Sequence, residues 1–126
     1  MSHTVKLALA MRDKANLKRA CQALKIPFQE GPHTVQLFSG QTSRADFSVQ
    51  LPNWRYRVGI DLKAGEVAFD NYGGSWGQIE ELHRFAQEYA LQVAENEESV
   101  QDLLNKGWTA ERVKQKNGQI DLVLEK

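Results

Sequence analysis

Apolar and polar residues alternate in several short runs and recur at helical spacing in others, and the order of these runs lays out the chain. Val5, Leu7 and Leu9 fall on one side of residues 4–11, the pattern of a strand with one face on a core. Asp13 then offers an N-cap, with Leu17, Ala20, Cys21 and Leu24 following at i, i+3, i+4 and i+7. This predicts a first helix that ends near Lys25, because Pro27 disfavours a helical residue before it. Gly31-Pro32 predicts a turn, residues 34–38 a short strand and the polar residues 39–46 a loop. Phe47, Val49 and Leu51 carry the next strand as far as Pro52-Asn53.

From Trp54 the alternation is strong. Trp54, Tyr56, Val58 and Ile60 share one face of residues 54–61, and Arg55, Arg57, Gly59 and Asp61 the other. Lys63-Ala64-Gly65 suits a three-residue hairpin loop with Gly65 left-handed, and Val67 and Phe69 return the chain to Asp70. At residues 70–78 strands give way to helix. Ser75 and Gln78 have the spacing of a capping box, which puts Trp76 at the first helical position.

The second helical stripe is wide: Ile79, Leu82, Phe85, Ala86, Tyr89, Ala90 and Val93. Polar residues 96–99 interrupt the stripe and Val100, Leu103 and Leu104 resume it, a pattern that fits one long helix or two with a break near Asn96, the break being favoured. Gly107 is a natural residue to end it, with Trp108 packing back on the last turn. Asn117-Gly118 predicts a type I′ turn between strands at 111–116 and 119–125, placing Lys114 opposite Asp121 and Val113 opposite Leu122. The resulting order, β-α-β-β-β-β-α-β-β, predicts an α+β protein: an antiparallel-rich sheet with two main helices packed on one face.

Composition changes this picture little. The 126 residues suit a single domain. Lys+Arg and Asp+Glu are both 16, a balance that argues against a protein mainly devoted to gripping a phosphate backbone. Cys21 is the only cysteine, so no intramolecular disulfide forms, and its place on the helical stripe marks it as a core residue rather than a reactive thiol. No apolar run reaches the roughly 20 residues of a membrane span, and the N-terminus has no signal-peptide pattern. A soluble, cytoplasmic protein is expected.

Candidate chemistry is sparse. Phosphate-loop, dinucleotide and paired-cysteine motifs are missing from the sequence, and no cofactor is expected. Gly73-Gly74 before a helix N-terminus has the form of an anion site but lacks a lysine. Glu80 and His83 have the Glu-x-x-His spacing of di-iron bundles without the further carboxylates and second pair such a site needs. Trp54-Arg55-Tyr56-Arg57 interleaves aromatic and basic residues as single-stranded nucleic-acid binders do, yet strand alternation sends the two kinds to opposite faces. Arg55, Arg57, Asp70, Trp76 and His83 are the residues expected to serve an interaction. A non-enzymatic protein-binding or adaptor role is the first expectation. Nucleic-acid binding through Arg55 and Arg57, with Arg44, is the alternative, and an enzyme working around Asp70 and His83 a distant third.

Several short motifs also carry a resemblance. They are the opening Met-Ser-His, Gly40-Gln41-Thr42 with Ala45-Asp46, residues 70–77, Phe85 with Tyr89-Ala90, Gly107-Trp108 and the closing residues 117–124. Together they resemble the hypothetical chloroplast protein 35 family (domain of unknown function 1257) of plastids, cyanobacteria and other bacteria. That resemblance implies a small soluble protein with no established activity, in the cytoplasm or the plastid stroma, and AAA-type ATPases as possible partners.

Overall fold

The computed structural model describes residues 3–5, 11–37, 40–71, 74–116 and 120–126. Their order is β1 (His3–Val5), α1 (Lys14–Leu24), β2 (Phe28–Gln36), β3 (Thr42–Val49), β4 (Val58–Asp61), β5 (Glu66–Phe69), α2 (Ile79–Glu95), α3 (Glu98–Asn105), β6 (Thr109–Lys114) and β7 (Ile120–Glu125). The α+β class is as expected. Five strands form one antiparallel sheet in the order β1-β5-β4-β3-β2, and β6 and β7 stand apart as a two-stranded sheet. One core joins both main helices to the sheet: Leu17, Ala20 and Cys21 of α1 and Leu82, Phe85 and Tyr89 of α2 cluster with Phe47, Val49, Ile60, Val67 and Phe69. The two helices are also tied directly, since the Asp13 N–H donates to the Tyr89 hydroxyl at 3.1 Å.

α1 starts and stops where its sequence says. The Asp13 carboxylate accepts from the Asn16 N–H at 3.2 Å, Lys25 turns left-handed at φ 57°, and the Ile26 N–H returns to the Cys21 carbonyl. The break at Asn96 is present between α2 and α3. Gly107 at φ 95° lets the Trp108 N–H bond the Leu103 carbonyl and the Gly107 N–H that of Leu104, the paired bonds of a Schellman motif.

Several boundaries differ from expectation, each for a local reason. Gly31-Pro32 is not a turn but lies inside β2, where the register to β3 slips between Glu30 and His33. β2 is an edge strand, which tolerates a proline and a bulge. The polar segment 39–46 is mostly strand, because β3 begins at Thr42. The strand expected over 54–61 is only Val58–Asp61. Asn53 at φ 62° turns the chain, and the Gln50 side-chain amide fastens that turn to the Trp54 carbonyl at 2.7 Å. The loop from β4 to β5 is one residue longer than expected, residues 62–65, with Gly65 left-handed at φ 73°.

The Ser75–Gln78 capping box does not form. The Trp76 N–H bonds the Asn71 carbonyl and the Trp76 carbonyl accepts from the Arg55 N–H, so these residues close a loop and α2 cannot begin before Ile79. Gln78 is the N-cap, without a side-chain bond, and Glu80 and Glu81 sit in the first turn, where the helix dipole favours them. In the last hairpin the register is shifted by one: Lys114 lies opposite Ile120 and Val113 opposite Asp121. The Asn117-Gly118 turn, residues 6–10 of the first strand and Gly73 lie outside the described residues.

Cys21 is buried, and burial pushes its thiol up from 9.0 to about 12. A raised value in the folded state contributes stability that is complete below the unfolded thiol's value and is lost as pH climbs toward the folded one. Stability should therefore fall between pH 9.0 and about 12 more steeply than in Cys21→Ala. Urea midpoints of the two proteins across that range check this, and parallel curves would refute it.

Candidate interaction surface

The segment from Asp70 to Gln78 sits on Trp54. An added Cβ at Gly77 would fall 2.5 Å from the Trp54 indole, so only glycine permits this approach, and the indole N–H donates to the Gln78 carbonyl at 3.0 Å. Asn71, itself buried, closes the loop from within: its side-chain amide donates to the Gly77 carbonyl at 3.1 Å, and its own carbonyl accepts from the Gly74 and Trp76 N–H groups. Asp70 is buried beside it. Trp76 is thereby placed half-buried in a turn, neither in the core nor on the helix.

On this pinned loop the Arg55 guanidinium lies over the Trp76 ring, 4.6 Å from its centroid. Tyr56 meets the same ring edge-on, with centroids 5.5 Å apart. The separation of aromatic from basic residues inferred from strand alternation is thus overturned, because residues 54–57 are not strand. Arg55 is exposed while Tyr56 and Trp76 are half-buried. The result is a preset cation–π surface held by neighbours that cannot easily move.

The remaining expected site residues do not join it. Arg57 reaches instead toward the Ser48 hydroxyl, at 3.5 Å. His83 is exposed on α2, as is Glu80. Among the described residues no group of three or more His, Cys, Asp or Glu is placed to hold a metal ion. Gly74 is separated from the start of α2 by the turn, so it does not stand at a helix N-terminus.

Two arrangements escaped the sequence reading. His33 Nδ1 lies 2.6 Å from the Gly31 carbonyl and Nε2 2.7 Å from Ser48 Oγ. A carbonyl can only accept, so Nδ1 carries the proton and Nε2 accepts from the serine. This is the handedness of a nucleophile–base pair, but Ser48 is fully buried at 0% exposure and no substrate reaches it. The pair serves to satisfy a serine inside the sheet.

The second is an ion triad between α2 and the last hairpin. Arg112 of β6 donates to both oxygens of Glu88, each at 2.9 Å, and also pairs with Glu95. Bonds to Glu95 and then Glu88 hold the guanidinium above its ordinary value. Glu88 is buried, and a carboxylate between Phe85 and Tyr89 on an apolar stripe was the available signal that a cation must come to it. Beside the triad the Ile120 N–H donates to the Gln87 side chain at 3.0 Å. Gln87, Ala90, Leu91 and Ala94 of α2 and residues 120–123 of β7 line a groove of about 700 Å³.

Among the described residues no helix is long and apolar enough to cross a membrane. No family model matches the chain, and no solved structure does. It is similar along its whole length to a protein of Cyanophora paradoxa named "Uncharacterized protein ycf35", with 28% identity over 131 aligned positions covering 100% of this chain and 98% of that one.

Proposed function

We propose, from the premise that whole-chain similarity bears out the resemblance to the hypothetical chloroplast protein 35 family, that this chain is a non-enzymatic protein-binding module and that Arg55, Tyr56 and Trp76 form its contact surface. The observation that carries the reading is the exposed Arg55 guanidinium parked 4.6 Å over a half-buried tryptophan. Tryptophan, tyrosine and arginine are the residues that concentrate binding energy at protein interfaces. Here the loop bonds of Asn71 and Trp54 fix their positions in advance, which lowers the ordering cost of association. An AAA-type ATPase is the partner class the resemblance suggests.

Arg55→Glu tests the surface without touching the core. Its thermal melt should match wild type, since an exposed substitution changes stability by no more than about 0.5 kcal/mol. Partner capture from the native host, read by mass spectrometry, should be lost. Capture of the same partner by a variant that melts normally would remove this surface from consideration. The contact of Arg55 with an aromatic face also favours a second reading, single-stranded nucleic acid. Binding of short single-stranded RNA that weakens steeply with added salt, and that Arg55→Glu abolishes, would select it over a protein partner.

A further inference from the structure

We propose that two copies of this chain join through the free edge of β7, forming an antiparallel β7–β7 ladder centred on Leu122. This goes beyond the contact surface at Arg55 and does not depend on it. Among the described residues β7 pairs with β6 and with no other strand. The hairpin is fastened to α2 through Arg112 and Ile120, but an open strand edge is a template for another strand.

The direction of the free groups follows from one bond. The Ile120 N–H donates to Gln87 of α2 rather than across to β6. Antiparallel pairs alternate between residues that bond across the ladder and residues that face away from it. Leu122 and Leu124 therefore turn their N–H and C=O groups outward with Ile120. The adjoining groove keeps this edge open, since Ala90 and Ala94 on its helix side are small.

Charge then selects the register. Outward-facing residues must meet outward-facing residues, and the registers that pair five residues of each β7 put the two-fold axis through position 122 or 123, whereas an axis through 121 or 124 pairs only three. Through Asp121 it sets that carboxylate against its own copy. Through Val123 it sets Asp121 against Glu125 of the second copy. Both place like charges directly opposite, which is destabilising. Through Leu122, Asp121 meets Val123, Ile120 meets Leu124 and Leu122 meets itself. Of the two longest registers only this one avoids repulsion, and it assembles Ile120, Leu122 and Leu124 of both copies into one apolar strip. Leu122 bonds its counterpart in both directions, and each Leu124 N–H bonds the Ile120 carbonyl of the other copy. Gln87 keeps the Ile120 N–H it already holds.

The wild-type protein is tested first, by light scattering after size exclusion and by hydrogen exchange from about 10 µM to about 200 µM, the range over which mass action should move a dimer of ordinary strength. The expected result is a dimer mass at the upper end, with Leu122 and Leu124 amides exchanging about tenfold more slowly there than at the lower end. Cross-linking then reads the register. At the axis, Leu122 α-carbons of the two copies lie about 5.5 Å apart, within disulfide reach, whereas Leu124 α-carbons lie about 13 Å apart. Under mild oxidation Leu122→Cys should give a covalent dimer and Leu124→Cys should not; Cys21 is buried and supplies no competing thiol. A monomer at every concentration overturns the proposal. So does a dimer whose Leu122 and Leu124 amides stay unprotected, equal cross-linking of the two variants, or protection of these amides that appears only when another protein is added.

Discussion

Replacing Trp54 by alanine is expected to cost about 4 kcal/mol, the range found when a buried aromatic is truncated in a core. Trp54 is 5% exposed and meets Phe69 edge-on, with ring centroids 5.7 Å apart. The missing indole would leave a hole beneath Gly77 and remove one of the two hydrogen bonds at the Gln78 carbonyl, which keeps the Glu81 N–H. The converse change, Gly77→Ala, drives a methyl group into the ring and should cost about 2 kcal/mol by overpacking. Trp54→Phe keeps a ring in place and should recover most of the loss, short of about 1 kcal/mol for the hydrogen bond. Urea midpoints at unchanged slope are the measurement. A Trp54→Ala loss below about 2 kcal/mol would mean that the loop collapses into the space, against the close packing argued for it.

Arg112→Ala should release the C-terminal hairpin while the five-stranded sheet stays folded. The variant leaves Glu88, which is 8% exposed, without its cation and with the Gln92 side-chain amide still donating to it, and removing one member of a buried ion pair is far costlier than replacing both. The Arg112 side chain is about a third exposed, so water screens part of the loss, and about 2 kcal/mol is expected rather than the full buried-pair figure. Amide exchange should speed up through β6 and β7 and remain slow at Phe47, Ile60 and Val67. Glu88→Gln in the Arg112→Ala background should return part of the stability, because a neutral amide is less costly to bury. Unchanged exchange in the hairpin would show that its apolar contacts with α2 suffice.

What the sequence made legible follows from range. The strands and helices and their order could be read because each rests on a local signal, such as the Asp13 cap, the apolar stripe of α2 or the Gly107 ending. Two local signals misled. The alternation over residues 54–57 imitates a strand, but Trp54 is buried by the loop that folds over it. Ser75 and Gln78 have the spacing of a capping box, but the backbone of Trp76 between them is bonded to Asn71 and Arg55, and the helix starts only at Ile79. The hairpin register differs by one from that of the two-residue loop which Asn117-Gly118 suggests. The contact of Arg55 with Trp76, the pairing of His33 with Ser48 and the hold of Arg112 on Glu88 all join residues distant in sequence, and no periodicity encodes them. Arg57 was singled out by its place in an aromatic–basic run and His83 by its spacing from Glu80, and the fold brings neither to Trp76.

The pairing of His3 with Phe69 and Val5 with Val67 has a consequence during synthesis. β1 precedes the other described strands, yet the strand it pairs with among the described residues, β5, is made some 60 residues later, a wait of about 3 to 12 s at ordinary elongation rates. Until then β4 and β5 cannot be closed from that side, while α1, β2 and β3 can already assemble from neighbouring segments. β1 therefore waits unpaired until β5 emerges, and its return completes the five-stranded sheet of the described residues.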